Sequence, residues 1–198
     1  MSNSNTGIMF AELVYKKNLL EHKDNNERYI AKAYELKKNN KLNSDWIGDT
    51  YNTLSSYNLI NDPLFNNLIN DCKIEVKEFA KEYGINNRVP ACSEAWINIA
   101  EPGNFQEYHV HTLNHFSLVY YVKIPINCGK IIFRSHEADK DMFPLPPPEQ
   151  FVMPNFKTYH IQPQEGDVIV FRSNLAHMVE KNKSNENRIS IAMNFRMT

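Results

Sequence analysis

The sequence predicts an α+β chain, with helices over residues 1–89 and a β sandwich or barrel over residues 90–198, together one domain of 198 residues. Three observations predict it. Helical apolar spacing dominates up to residue 90. After Pro90 the pattern shortens to runs rich in Val, Ile, Tyr and Phe. Those runs are separated by Pro, Gly, Asn and Asp, as in folds built from many short strands.

The elements follow in order. Asn26 to Lys38 places Tyr29, Ile30, Ala33, Tyr34 and Leu36 at helical spacing and ends in Asn39-Asn40. Asp62-Pro63 starts a second helix, with Asp62 as cap and Pro63 at the first position. Its apolar set is Leu64, Phe65, Leu68, Ile69, Cys72, Val76, Phe79 and Ala80, and Gly84 closes it. That stripe is expected to pack on a sheet. The strands expected are 95–100, 105–111, 116–124, 130–134, 157–162, 167–172 and 188–197. Between them, residues 142–154 hold five prolines and are read as an extended insert, a candidate lid over a site.

Composition narrows the function. With 22 basic and 23 acidic residues, the net charge is -1, which disfavours binding nucleic acid by bulk charge. Six glycines argue against a Gly-rich phosphate cradle. Cys72, Cys92 and Cys128 form no metal-type Cys pattern and read as buried thiols. The first ten residues lack an apolar signal core. No stretch reaches the roughly 20 apolar residues that span a bilayer. A cytoplasmic protein that does not engage membranes is expected.

Six of the seven histidines lie between 109 and 177. In a strand, residues i and i+2 share a face, so His109 and His111 can aim at one point, as metal ligation requires. Imidazole suits iron, zinc, copper or nickel. His177, at the end of a turn, a buried strand and a loop, is the candidate third ligand. In the last strand, alternation puts Arg188, Ser190, Ala192 and Asn194 on one face and Ile189, Ile191, Met193 and Phe195 on the other. Arg188 there offers a two-pronged donor to a carboxylate, or else starts an edge strand facing water. Asn98 and Gln106 are strand residues that either hydrogen-bond a ligand or form an outward polar row. Trp96 and Tyr108 read as packing, and His115 as an exposed loop residue.

The order of these residues resembles the double-stranded β-helix of the iron(II)/2-oxoglutarate-dependent oxygenases, most closely a small family of bacterial and phage oxygenases. The matching residues are Trp96/Asn98, Gln106/His109/His111, Tyr120-Tyr121-Val122, Phe171/Ser173/His177 and Arg188/Ser190/Asn194. The resemblance covers residues 90–198; before that only the helical character matches. It implies a jelly-roll, cupin-like barrel with the N-terminal helices packed on its major sheet. It further implies iron(II) held by His109, His111 and His177, with 2-oxoglutarate and dioxygen as co-substrates. Arg188 would clamp the distal carboxylate of 2-oxoglutarate with Ser190. Tyr121 or Tyr120 would add a phenol, and Asn98 a polar contact. His111 stands where the wider superfamily has Asp or Glu. Either three histidines form the facial set, or two are completed by another group such as Glu107 or Glu137.

The expected activity is that of an oxidoreductase, a dioxygenase coupling oxidative decarboxylation of 2-oxoglutarate to hydroxylation of a substrate that the sequence does not name. Two rivals stand beside it. One is a cupin-type three-histidine metal enzyme that does not use 2-oxoglutarate. The other is a β-helix binding protein without catalysis, since fold alone does not imply activity. A homodimer is compatible with the sequence.

Overall fold

The computed structural model describes residues 11–39, 47–136, 149–150 and 156–198. The helices are α1 (Asn26–Asn39) and α2 (Asn66–Lys81). The strands are β1 (Val14–Asn18), β2 (Tyr51–Asn52), β3 (Pro90–Ala100), β4 (Gln106–His109) and β5 (Phe116–Lys123). They continue with β6 (Ile131–Arg134), β7 (Thr158–Ile161), β8 (Asp167–Arg172), β9 (His177–Val179) and β10 (Arg188–Met197). None of the described helices is long and apolar enough to cross a membrane.

Two antiparallel sheets form from these strands. The larger runs β1-β8-β5-β10-β3-β2 and the smaller β4-β9-β6-β7. The two helices cover the outer face of the larger sheet. There, Tyr29, Ala33 and Leu36 of α1 and Leu68, Cys72, Val76 and Phe79 of α2 meet Ile97, Leu118, Tyr120, Val170, Ile191 and Phe195. A second cluster, Tyr121, Ile131, Phe133, Ile169, Phe171 and Leu175, draws on both sheets and fills the space between them. The central strands are therefore apolar on both faces, which explains their near-continuous hydrophobic runs.

Helix α2 starts and stops where its sequence says it should. Asp62 Oδ1 accepts from the Leu64 N–H at 3.0 Å, capping a short 3-10 turn at Pro63–Phe65 that leads into the helix. Gly84, at φ 71°, reverses the chain, and Ile85 N–H returns to the Ala80 carbonyl at 3.1 Å.

Three expectations change. The stretch before residue 90 is not purely helical: β1 pairs with β8 and β2 with β3, at the two edges of the larger sheet. Lys16 and Lys17 break the apolar alternation of β1, as suits an edge strand. His177 does not end a loop but opens β9, which at three residues is too short to show a period. The strand expected over 105–111 stops at His109, with a register shift against β9 between Gln106 and His109. Of the Pro-rich 142–154 segment, only 149–150 falls among the described residues; its reading as a lid lies outside them.

Candidate active site

His109 and His177 are paired across β4 and β9, and their rings lie 4.2 Å apart. His111, just past β4, brings its ring within 5.3 Å of His109 and 5.2 Å of His177. One ligating nitrogen from each lies within 4.8 Å of the others, a spacing that could hold one metal ion. His109 and His177 are set in the same way. Nδ1 of His109 faces the Glu107 carbonyl at 2.8 Å, and Nδ1 of His177 faces the Leu175 carbonyl at 2.9 Å. A carbonyl only accepts, so each Nδ1 carries the proton and each Nε2 keeps its lone pair for a metal.

Burial keeps all three imidazoles neutral, the form that ligates. His109 is held below its usual pKa by burial, against the pull of the Glu107 carbonyl and carboxylate. Burial and then the charge of His109 push His111 down to about 4. His177 sits well below the ordinary range, through burial first and its two histidine neighbours next. Trp96 stacks on His111 at 5.6 Å and 26°, so the indole forms a wall of the site.

A cavity between the sheets opens on the three histidines. Its lining includes Asn98 on β3, Gln106 on β4, Tyr121 on β5, and Arg188 and Ser190 on β10. The rungs of the larger sheet explain this set. Ser190 sits opposite Asn98 on one side and Tyr121 on the other, and Ala192 sits opposite Trp96 and Val119. Pleating sends these residues to one face and Ile189, Ile191 and Met193 to the helix-covered face. The choice between the two tyrosines follows: Tyr121 lines the cavity, while the Tyr120 hydroxyl donates to Asn26 Oδ1 at 2.8 Å in the other core. Burial raises the Tyr121 pKa, which keeps the phenol protonated as a donor.

Arg188 is only 3% exposed, so it does not lie on a solvent-facing edge. Its Nη1 donates to the Cys128 carbonyl at 3.1 Å, and among the described residues no carboxylate pairs with it. Next to Cys128, Gly129 sits at φ 93°, and a Cβ there would come 2.5 Å from the Glu180 carbonyl oxygen. Asn98 Oδ1 is also buried, without a hydrogen-bond partner among the described residues. A buried cation and an orphaned amide lining one cavity with three neutral imidazoles fit a metal-bound anion with a second carboxylate.

The sequence comparisons decide the family. A profile described as "Putative 2OG-Fe(II) oxygenase" matches residues 94–194, half of the chain. The chain belongs to the 2OG-Fe(II) oxygenases. This oxygenase is therefore an oxidoreductase that uses iron(II) and 2-oxoglutarate. Solved structures agree on the fold, the double-stranded β-helix. A prolyl-4-hydroxylase from Pseudomonas putida superposes with TM-score 0.65 at 13% identity, covering 93% of each chain. A viral collagen prolyl hydroxylase from Paramecium Bursaria Chlorella virus-1, solved with 2OG, gives 0.58 at 13% identity over 96% of the oxygenase and 98% of its own chain. HygX from Streptomyces hygroscopicus, solved with nickel, 2-oxoglutarate and hygromycin B, gives 0.63 at 12% identity over 93% and 83%. No curated protein sequence matches the oxygenase.

One contact at the site has no sequence signal, the Cys128 carbonyl that accepts from Arg188. His115 is exposed and accepts the Met197 N–H on Nδ1 at 3.0 Å, away from the triad. Tyr108 is 40% exposed, not packed inside, with the Arg134 guanidinium 5.8 Å above its ring.

Proposed function

We propose that the chain is a hydroxylase in which His109, His111 and His177 hold iron(II) and Arg188 binds the far carboxylate of 2-oxoglutarate. The convergence of three neutral histidines on a cavity also lined by a buried arginine, with no carboxylate partner among the described residues, carries this reading. Residues 90–198 form the catalytic unit and residues 1–89 support it. Bound iron supplies the redox chemistry: dioxygen and 2-oxoglutarate become succinate and carbon dioxide, and one oxygen atom enters a substrate C–H bond.

The chain's own groups do the binding and orienting. Arg188 offers guanidinium N–H groups from the floor of the cavity, and a charge-assisted pair in that dry setting is strong. Two residues along β10, Ser190 is paired with Tyr121, and both hydroxyl-bearing side chains line the same cavity. The Asn98 carboxamide, across the rung from Ser190, orients the co-substrate along the cavity. Trp96, Val119 and Ile131 supply apolar walls that keep bulk water off the reacting atoms. His111 in place of a carboxylate leaves the metal's charge undiminished, so the metal favours anionic co-ligands.

The test is anaerobic reconstitution with iron(II), followed by assay of succinate from 2-oxoglutarate. Wild type forms succinate, the metal-free protein does not, and His177→Ala loses it. Turnover by His177→Ala at the wild-type rate overturns the ligand set. Calorimetric titration with 2-oxoglutarate then separates the cupin-type rival. Binding that survives Arg188→Ala unchanged would favour an enzyme with no need of that arginine.

A further inference from the structure

The third histidine is held differently from the other two. His109 and His177 each turn Nδ1 to a main-chain carbonyl two residues back. His111 lies just past β4, outside the strands. Its main chain is fixed, His111 N–H donating to the Ser173 carbonyl at 2.8 Å. That bond leaves the imidazole to be set by its own side-chain torsions. Two rings lie nearly flat against it: its fellow candidate ligand His177, at 5.2 Å and 20°, and the indole of Trp96, at 5.6 Å and 26°.

Trp96 is itself a rigid platform. It is buried in the middle of β3, and its neighbours Ala95 and Ile97 point into the helix-covered core. The pleat therefore puts the indole on the cavity face. Its partner on β10 is Ala192, a single methyl, which leaves room beside the large ring. The pairing of β3 with β10 runs from Pro90 to Ala100, so the platform cannot shift without opening the sheet. The indole thus belongs to the larger sheet and the two strand-held histidines to the smaller, and His111 contacts both.

We propose that Trp96 is the positioning residue of His111: the flat indole holds the imidazole in the orientation that presents a ring nitrogen to the metal. The inference rests on the reading of His111 as a ligand. It explains how a histidine on an irregular segment can serve where its partners use strand geometry and main-chain carbonyls. An imidazole that ligates a metal gives up electron density and becomes more cationic, and the face of an indole attracts such a ring. The separation of 5.6 Å lies within the roughly 6 Å over which that attraction acts. The stack therefore strengthens as the ring ligates, and it adds to metal affinity as well as to packing. An aliphatic side chain fills space there but offers no such face.

The test uses cobalt(II) alone, its affinity read by chelator competition, with proton NMR of the zinc(II)-loaded protein. Trp96→Leu should weaken cobalt(II) binding about 10–100-fold, the usual effect of losing a partner that orients a ligand. Trp96→Phe keeps an aromatic face and should recover most of that loss. A wall that only fills space predicts no difference between the two variants. In zinc(II)-loaded wild type, the indole ring current should move the His111 ring protons upfield of their positions in Trp96→Leu, and move those of His109 and His177 far less. In a Trp46→Phe background Trp96 is the one indole in the chain. Its fluorescence should fall as cobalt(II) fills the site, with the midpoint that the chelator gives. Wild-type affinity in Trp96→Leu, or equal losses in Trp96→Leu and Trp96→Phe, overturns the proposal. If Trp96→Leu does not fold, the protein with its indole still decides: His111 ring protons at ordinary shifts, or indole emission indifferent to cobalt(II), overturn it too. If wild type takes up no cobalt(II), or His111→Ala binds it as tightly, the ligand reading fails and the proposal with it.

Discussion

Arg188 is a buried cation whose one side-chain hydrogen bond among the described residues goes to a carbonyl. Taking an unpaired charge out of water costs several kcal/mol, and on the proposed reading a co-substrate carboxylate offsets that cost. Two outcomes are expected together. Arg188→Met should weaken 2-oxoglutarate binding about 10–100-fold, as loss of a charge-assisted contact of ~1.5–3 kcal/mol implies. The same variant without ligands should unfold at higher urea than wild type, because an apolar chain suits the site better. Calorimetry reads the first and urea melts the second. The two tyrosines divide in the same way. Tyr121→Phe should reduce co-substrate affinity and leave stability nearly unchanged. Tyr120→Phe should leave affinity alone and cost about 1–2 kcal/mol, since it strands Asn26 Oδ1 in the core. The histidines give the metal-free protein a pH dependence. Their folded pKa values are depressed, to about 4 for His111, so below the ordinary value of 6.5 the unfolded chain binds more protons than the folded one. Stability should therefore be full above pH 6.5 and fall, by a few kcal/mol in order of magnitude, as the pH drops toward 4. Urea melts of the metal-free protein at pH 7 and pH 5 check this; a flat profile contradicts it. The residues that meet at the candidate site were legible where type and spacing combine, as in His109-x-His111 and Arg188-x-Ser190. The choice of Tyr121 over Tyr120 was not, because it depends on the register shift between Ile189 and Ser190 against β5.

Among the elements, β10 does most to build the site. Its ten residues send Arg188, Ser190 and Ala192 to the cavity and Ile189, Ile191 and Met193 to the helix-covered core. That two-row pattern stands plainly in the sequence, as do the ends of α2. Asp62→Ala removes the cap that receives Leu64 N–H and should cost about 1 kcal/mol, read as a lowered urea midpoint with 2-oxoglutarate binding intact. The elements that the sequence hides share one trait: each is too short or too polar to show a period. β9 has three residues, β2 has two, and β1 carries two adjacent lysines at a sheet edge. Such strands are made by their partners. β9 exists because β4 and β6 flank it, and that pairing brings His177 beside His109.

On the scale of the whole molecule, the candidate ligands and the candidate anion clamp belong to different sheets. His109 and His177 stand on strands of the smaller sheet, whereas Arg188 and Ser190 stand on the larger. A co-substrate bound to both would tie the sheets together, and ligands that bind only the folded state raise its stability by mass action. Zinc(II) alone should raise the melting temperature, and zinc(II) with 2-oxoglutarate should raise it further. At 100 times the dissociation constant each step is worth about 2.7 kcal/mol. In Arg188→Met the second increment should vanish while the first remains; equal increments in both proteins would show that the co-substrate does not bridge the sheets. The sequence by itself determined the class of fold, the two long helices, the apolar strands and the set of residue types from which a site could be made, because local spacing and hydrophobic period act over a few residues. Only the tertiary structure decided that three histidines meet, that Arg188 is buried with no carboxylate partner among the described residues, and that Tyr121 rather than Tyr120 lines the cavity. Those facts depend on register between strands distant in sequence and on which face of each pleat is covered.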